Sequence, residues 1–97
     1  MITSFGDQGT EDVFFGVDSK VAEKVLPKAL RPVGRRKLDM LNAAAVPADL
    51  LVPPGNRFEK LKGTLTGCFS IRVNDQYRVV FKFQGGEASE VRIEDYH

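Results

Sequence analysis

The chain has no tryptophan, one cysteine and one histidine in 97 residues. The lone cysteine, Cys68, has no internal disulfide partner, and a single histidine does not supply a Cys/His zinc set. The sequence is therefore expected to need no structural metal, and nothing in it asks for a cofactor. No apolar run approaches the ~20 residues that span a bilayer, so no membrane association is expected. The opening "MITSFGDQGTEDV" lacks the basic and apolar regions of a secretory signal, which reads as a cytoplasmic protein. With 42% hydrophobic and 28% charged residues, the composition excludes wholesale disorder. The length suits one compact domain over 1–97.

Net charge is only +1, but it is unevenly placed. Residues 1–17 carry Asp7, Glu11 and Asp12 and no cation. From 20 to 39 come Lys20, Lys24, Lys28, Arg31, Arg35, Arg36 and Lys37 against Glu23 and Asp39. The stretch 57–82 adds Arg57, Lys60, Lys62, Arg72, Arg78 and Lys82 against Glu59 and Asp75, and the tail then turns acidic. A cationic middle attracts polyanions, because phosphate contacts dominate sequence-independent nucleic-acid affinity. Charge alone is equally the mark of a solvated face, the commoner reason for such runs.

Local pattern predicts the elements. "ITSF" at 2–5 reads as a short strand ended by Gly6. Thr10 is placed to cap a helix over 11–15, whose first-turn Glu11 and Asp12 suit the helix dipole. Residues 20–45 form the main helical region, with Leu30, Leu38, Leu41 and Ala45 sharing a face and Arg35, Arg36 and Lys37 pointing largely away. Pro27 and Pro32 belong in a first turn rather than an interior, so the helix is expected to start between 27 and 32 and end near 44. "VPADLLVPPGN" is a proline-rich connection with one helical turn at 48–51. The period then changes to two. Phe69, Ile71 and Val73 alternate with Cys68, Ser70 and Arg72. After "NDQ", Tyr77, Val79, Phe81 and Phe83 alternate with Arg78, Val80 and Lys82, which is a β-hairpin. "QGGE" turns into a last strand at about 88–95, and 57–62 supplies a further strand. The expected class is α+β: an N-terminal strand and two helices on a mainly antiparallel sheet of four to five strands.

Several stretches in this order, "MITSF", "RRKLDMLNAA", "PPGNRFEKLKG", "SIRVNDQYRVVFKF" and the terminal "EDYH", resemble the HigB-type toxins of toxin–antitoxin modules, within the RelE/ParE superfamily. The resemblance runs over nearly the whole chain and is weakest around 17–34. It implies a small toxin that enters the ribosomal A site and cleaves mRNA there. It also implies a HigA-type helix-turn-helix antitoxin as partner, alongside the 70S ribosome and its mRNA, with operator DNA reached only through the antitoxin.

Metal-independent RNA cleavage needs proton transfer to and from ribose and leaving oxygens, and charge stabilisation on the phosphate. Alternation in the last strand places Val91, Ile93, Asp95 and His97 on one side and Arg92, Glu94 and Tyr96 on the other. An imidazole beside a carboxylate suits acid/base work, since histidine titrates near neutral pH. Lys62 and Arg78 match positions at which the family places cations around the scissile phosphate. Tyr96 can stack on a splayed base or donate its hydroxyl. Glu59 stands where some relatives carry a second histidine, and an ordinary glutamate serves at neutral pH as a base rather than an acid. Arg35, Arg36, Lys37, Arg57, Lys60 and Lys82 are the candidate RNA or ribosome contacts. Each of these side chains also has a plain structural reading, as solvated charge or as sheet-end packing. Two alternatives remain beside the nuclease: a non-catalytic, gyrase-poisoning toxin of the ParE kind, and an attenuated toxin acting mainly through its antitoxin and operon.

Overall fold

The computed structural model describes residues 1–95. The candidates Tyr96 and His97 lie outside the described residues. Helix α1 spans Gln8–Phe15 and is capped by Asp7, whose carboxylate accepts from Thr10 N at 2.6 Å. The helix thus begins a turn earlier than the Thr10 cap expected from sequence. Thr10 is instead wholly buried, and its hydroxyl accepts from Ile93 N at 2.9 Å, tying α1 to the sheet. Gly16, at φ 75°, ends α1 in a left-handed conformation that glycine adopts without strain.

The region expected to hold one helix holds two. Helix α2 is Lys20–Val25, capped by Ser19. Pro27 has no donor to continue it, and a 3-10 turn at Lys28–Leu30 leads into α3, Arg31–Ala43, with Pro32 in its first turn. The proline-rich connection carries 3-10 turns at Pro47–Leu51 and Pro54–Asn56.

Four strands follow in the order β1-β2-β3-β4, all antiparallel: β1 Glu59–Lys60, β2 Cys68–Arg72, β3 Tyr77–Gln84 and β4 Glu87–Asp95. The strand expected at 57–62 shortens to two residues because Arg57 takes a positive φ and Lys62 opens another 3-10 turn at Gly63–Leu65. The expected strand at 2–5 is also incomplete. Ile2 and Phe5 form isolated parallel bridges to Ala88 and Val91. Glu90, at φ 50°, sits in a β-bulge of β4 between those two contacts, and no continuous ladder forms there.

The three helices cover one face of the sheet. Val13, Ala22, Leu26, Leu38 and Leu41 pack with Ile71, Val79, Phe81, Val91 and Ile93. The alternation read from the hairpin holds, and the opposite face carries a small apolar cluster of Leu61, Cys68 and Val80 beside Leu65. Cys68 is buried there. Among the described residues, no helix is long and apolar enough to cross a membrane.

The Thr10–Ile93 bond has a measurable consequence. Thr10→Val leaves a buried N–H without its acceptor and is expected to cost about 1–3 kcal/mol. The loss should appear as a lower urea midpoint at unchanged slope, whereas Thr10→Ser should keep most of the stability. Equal stability of the valine variant would show that the bond contributes nothing.

Candidate functional site

The face of the sheet away from the helices gathers arginines because the hairpin register aligns them. Arg72 pairs with Arg78 across β2 and β3, and Arg78 pairs with Glu94 across β3 and β4. Arg57 arrives beside them from the preceding loop. Arg78 Nε donates to Ser70 Oγ at 2.8 Å, and its Nη2 donates to the Arg57 carbonyl at 2.6 Å. Two acceptors from two elements therefore fix the direction of this guanidinium. Arg57, Arg72 and Arg78, with Asn74 and Asp75, line a hollow of about 310 Å³. Arg72 is ion-paired with Asp75, and Arg92 with Glu94 at 2.5 Å.

The loop that delivers Arg57 is organised by a buried amide. Asn56 is fully buried, and its nitrogen donates to the Leu50 carbonyl at 3.2 Å and the Val52 carbonyl at 3.4 Å. Its oxygen accepts from Lys37 Nζ at 2.6 Å. The "PPGN" segment is thereby bound to α3, and Arg57 leaves it at φ 44°. Burial, and secondarily the charges of Arg36 and Arg72, hold the Lys37 ammonium below its ordinary value of 10.5.

Glu59 pairs with Ser70 across β1 and β2, on the arginine face and next to the Arg78 anchor. Glu59, Lys60, Leu61, Lys62 and Leu65 line a neighbouring hollow of about 400 Å³. Lys60 pairs with Phe69 and so points to the helix side of the edge. Asp95 pairs with Tyr77, a residue packed on the main core, and its Oδ2 accepts from Gln76 Nε2 at 3.0 Å. Register therefore brings Glu59 and Arg78 to one face and puts Asp95 on the rim of the other, while Lys62, beyond β1, lines the same hollow as Glu59.

The candidate binding residues divide. Arg57 lines the arginine hollow, and Lys37 on α3, next to Arg36, lies close enough to Arg72 to feel its charge. Arg35 does not: a Cβ at Gly16 would lie 3.3 Å from its Nη1, which places it over the end of α1. Lys82 is four residues along β3 from Arg78, about 13 Å at strand rise, and pairs with Glu90 at 2.7 Å. That bond raises the Lys82 ammonium and lowers the Glu90 carboxyl.

Arg72 and Asn74 line the hollow without having been singled out in the sequence. The signal was present, since "IRVNDQYR" places Arg72 and Arg78 on the same side of a tight hairpin. The role of Asn56 had no such signal, because polar residues in proline-rich loops are ordinarily solvated. Among the described residues, no three His, Cys, Asp or Glu side chains converge as a metal site requires.

The Lys37 shift carries a sign. The unfolded chain holds this proton up to about 10.5 and the folded chain releases it earlier, so the Lys37 contribution makes stability rise with pH across that window. Arg72→Gln should move the Lys37 pKa upward, incompletely because burial is the larger cause. An NMR titration of the Lys37 side chain checks this, and an unchanged or lower value would refute the coupling.

The chain can now be set beside known proteins. The family model for the RelE-like toxin of type II toxin–antitoxin system HigB matches residues 3–97. Toxin HigB-1 of Vibrio cholerae serotype O1 (strain ATCC 39315 / El Tor Inaba N16961) is 38% identical over 96 residues, covering 99% of this chain and 98% of that protein. An uncharacterized protein of Haemophilus influenzae is 37% identical over 71 residues, covering 73% of this chain and 70% of that one. Among solved structures, the YoeB–YefM complex from Staphylococcus aureus superposes with a TM-score of 0.61 at 23% identity, over 100% of this chain and 95% of the other. At that identity the likeness is one of fold: helices on an antiparallel sheet in the RelE manner. Match over nearly the full length and identity with a curated toxin lead to one conclusion: this chain belongs to the HigB family of RelE-like toxins of type II toxin–antitoxin systems.

Proposed function

We propose that this toxin is a ribosome-dependent mRNA endoribonuclease acting in the cytoplasm and held in check by a HigA-type antitoxin. The observation that supports the reading is the arginine hollow: Arg57, Arg72 and Arg78 converge on an open, polar face in a chain of this family. A phosphodiester is the ligand whose charge and oxygen geometry suit such a set. The solved relatives of this fold are toxin–antitoxin complexes, which supports the antitoxin partner.

In the proposed reaction the ribose 2′-hydroxyl attacks the adjacent phosphorus and loses its proton. The 5′-oxygen leaves and gains one, giving a 2′,3′-cyclic phosphate and a 5′-hydroxyl. Arg78 and Lys62 stabilise the extra charge on the non-bridging oxygens. Asp95 stands on the rim of the face opposite Arg78, so the proposed Asp95–His97 pair acts from the end of β4: Asp95 orients His97, and the imidazole carries one of the two proton transfers. Glu59 is the second proton-transfer group and serves as base. Tyr96 stacks on the exposed base. Arg57 and Arg72 supply sequence-independent phosphate contacts, with Arg36 and Lys37 as further cations on α3.

Mapping mRNA 5′ ends from translating ribosomes tests this. Purified toxin should produce cuts at A-site codons, and a chain truncated after Asp95 should produce none. Arg78→Ala should slow cleavage by about 10²–10³-fold, the usual cost of one charge-stabilising donor. Arg72→Ala should weaken RNA binding for all sequences alike and reduce the salt-dependence slope by about one. A truncated toxin that folds and cuts as well as the full chain removes the terminal residues from the mechanism. Intact mRNA with trapped gyrase–DNA complexes would replace the nuclease reading altogether.

A further inference from the structure

A second cationic site lies on the helix layer. Between the end of α1 and the first turns of α3 is a hollow of about 320 Å³ lined by residues of both helices, among them Val13, Val17, Pro32, Arg31 and Arg35. Its exposed lining is mostly apolar, unlike the arginine face. Arg31 is largely withdrawn from solvent, with its side chain 12% exposed. Its Nη1 donates to Asp18 at 2.7 Å and its Nε to the Leu26 carbonyl at 3.5 Å. Its Nη2 is buried and has no hydrogen-bond partner among the described residues. A desolvated guanidinium N–H without an acceptor is unfavourable, and a carboxylate brought to it would relieve that cost. The lining adds exposed apolar surface: Val17 is 49% exposed.

We infer that this groove docks the antitoxin, through a segment that sets one carboxylate against Arg31 beside an aliphatic or aromatic side chain seated between Val17 and Pro32. The inference rests on the antitoxin pairing proposed above. The two carboxylates at the groove, Asp12 and Asp18, decide against RNA. Asp12 is taken by Ser19 and Gln8, and Asp18 by Arg31 and Lys28. A polyphosphate chain would run its repeating charges across both. A peptide presents a single acid among apolar groups and meets Arg31, with Lys28 and Arg35 also lining the hollow. Charge and apolar surface together match such a segment better than either does alone.

The test uses the full-length toxin and the full-length antitoxin encoded beside it, with affinity measured by calorimetry. Val17→Asp, at an exposed position, and Arg31→Met, which keeps the side-chain length, should each weaken the complex by at least about tenfold, the scale of a contact at an interface centre. Both variants should keep the wild-type cleavage pattern without antitoxin, which confirms their folding. Neutralising the responsible antitoxin carboxylate should weaken binding to wild-type toxin but not to the Arg31→Met variant, a coupling that a purely structural Arg31 would not produce. Unchanged affinity in both toxin variants overturns the inference. So does loss of affinity only in Arg57→Ala and Arg72→Ala, which would move the antitoxin to the arginine face. Failure of wild-type toxin to bind the antitoxin at all would sink the pairing itself, and the groove assignment with it, while leaving the mRNA cleavage result untouched.

Discussion

The pairing of Ile71 with Val79 is the constraint from which the site follows. Both residues are fully buried against the helices, and side chains alternate strictly along a strand. Burial on one face therefore determines which residues stand on the other. Arg72 and Arg78 are adjacent because each is next to a buried partner of that pair, not because they attract one another. Slippage by one residue would bury both guanidinium groups and expose the apolar set, at a cost far beyond the stability of a chain this size. Like charges lying side by side are thus sustained by the core behind them. Such a pair repels, and the structure distributes the repulsion: Arg72 has Asp75, and Arg78 has Ser70 and the Arg57 carbonyl.

The third arginine reaches the site by a different route. Asn56 has no solvent contact, and its amide satisfies two loop carbonyls and one lysine ammonium at once. A buried polar side chain is favourable only when it is so satisfied. The proline-rich connection contributes little regular structure of its own, yet through this amide it is fastened to α3. The positive φ at Arg57 then turns the chain toward β1, placing its carbonyl where Arg78 donates. Lys37, withdrawn from water against Asn56 and secondarily repelled by Arg36 and Arg72, holds its own proton less tightly. The site is thus joined to the helix layer by one side chain on each partner.

What was legible in the sequence was whatever repeats along the chain. The hairpin, its faces, the α+β class and the glycine stop at Gly16 follow from period and composition, and the resemblance of the tail and hairpin motifs pointed to the family. The departures have local physical causes that depend on residues far apart. Thr10 looked like a helix cap because its type suits one, but Asp7 three residues earlier holds its amide, and its hydroxyl is used by Ile93 at the other end of the chain. One helical region became two because Pro27 and Pro32 act separately. The strand at 2–5 was reduced to bridges by the bulge at Glu90, a feature of its partner strand. Among the site residues, Arg78 and Glu59 share a face, as their register requires; Arg35 lies elsewhere because a charge run on a helix is divided among its faces, and Lys82 shares the face of Arg78 but stands four residues along the strand.

The two cationic sites differ in the company their guanidinium groups keep, and this separates what they can recognise. On the sheet face, arginines line a polar, water-accessible hollow, where attraction to phosphate is strong in number but screened and indifferent to sequence. On the helix face, Arg31 lies in a hollow shared with valine and proline, its Nη2 unpaired among the described residues. Low local polarity strengthens a single well-placed bond and penalises a misplaced one, which is the basis of discrimination rather than of mere attraction. On the proposed function, this toxin has to tolerate many RNA sequences but answer to one antitoxin. Placing the solvated arginines on the open sheet and the desolvated one between helices satisfies both demands with a single core, because the sheet's two faces are kept apart by the same buried residues that set its register.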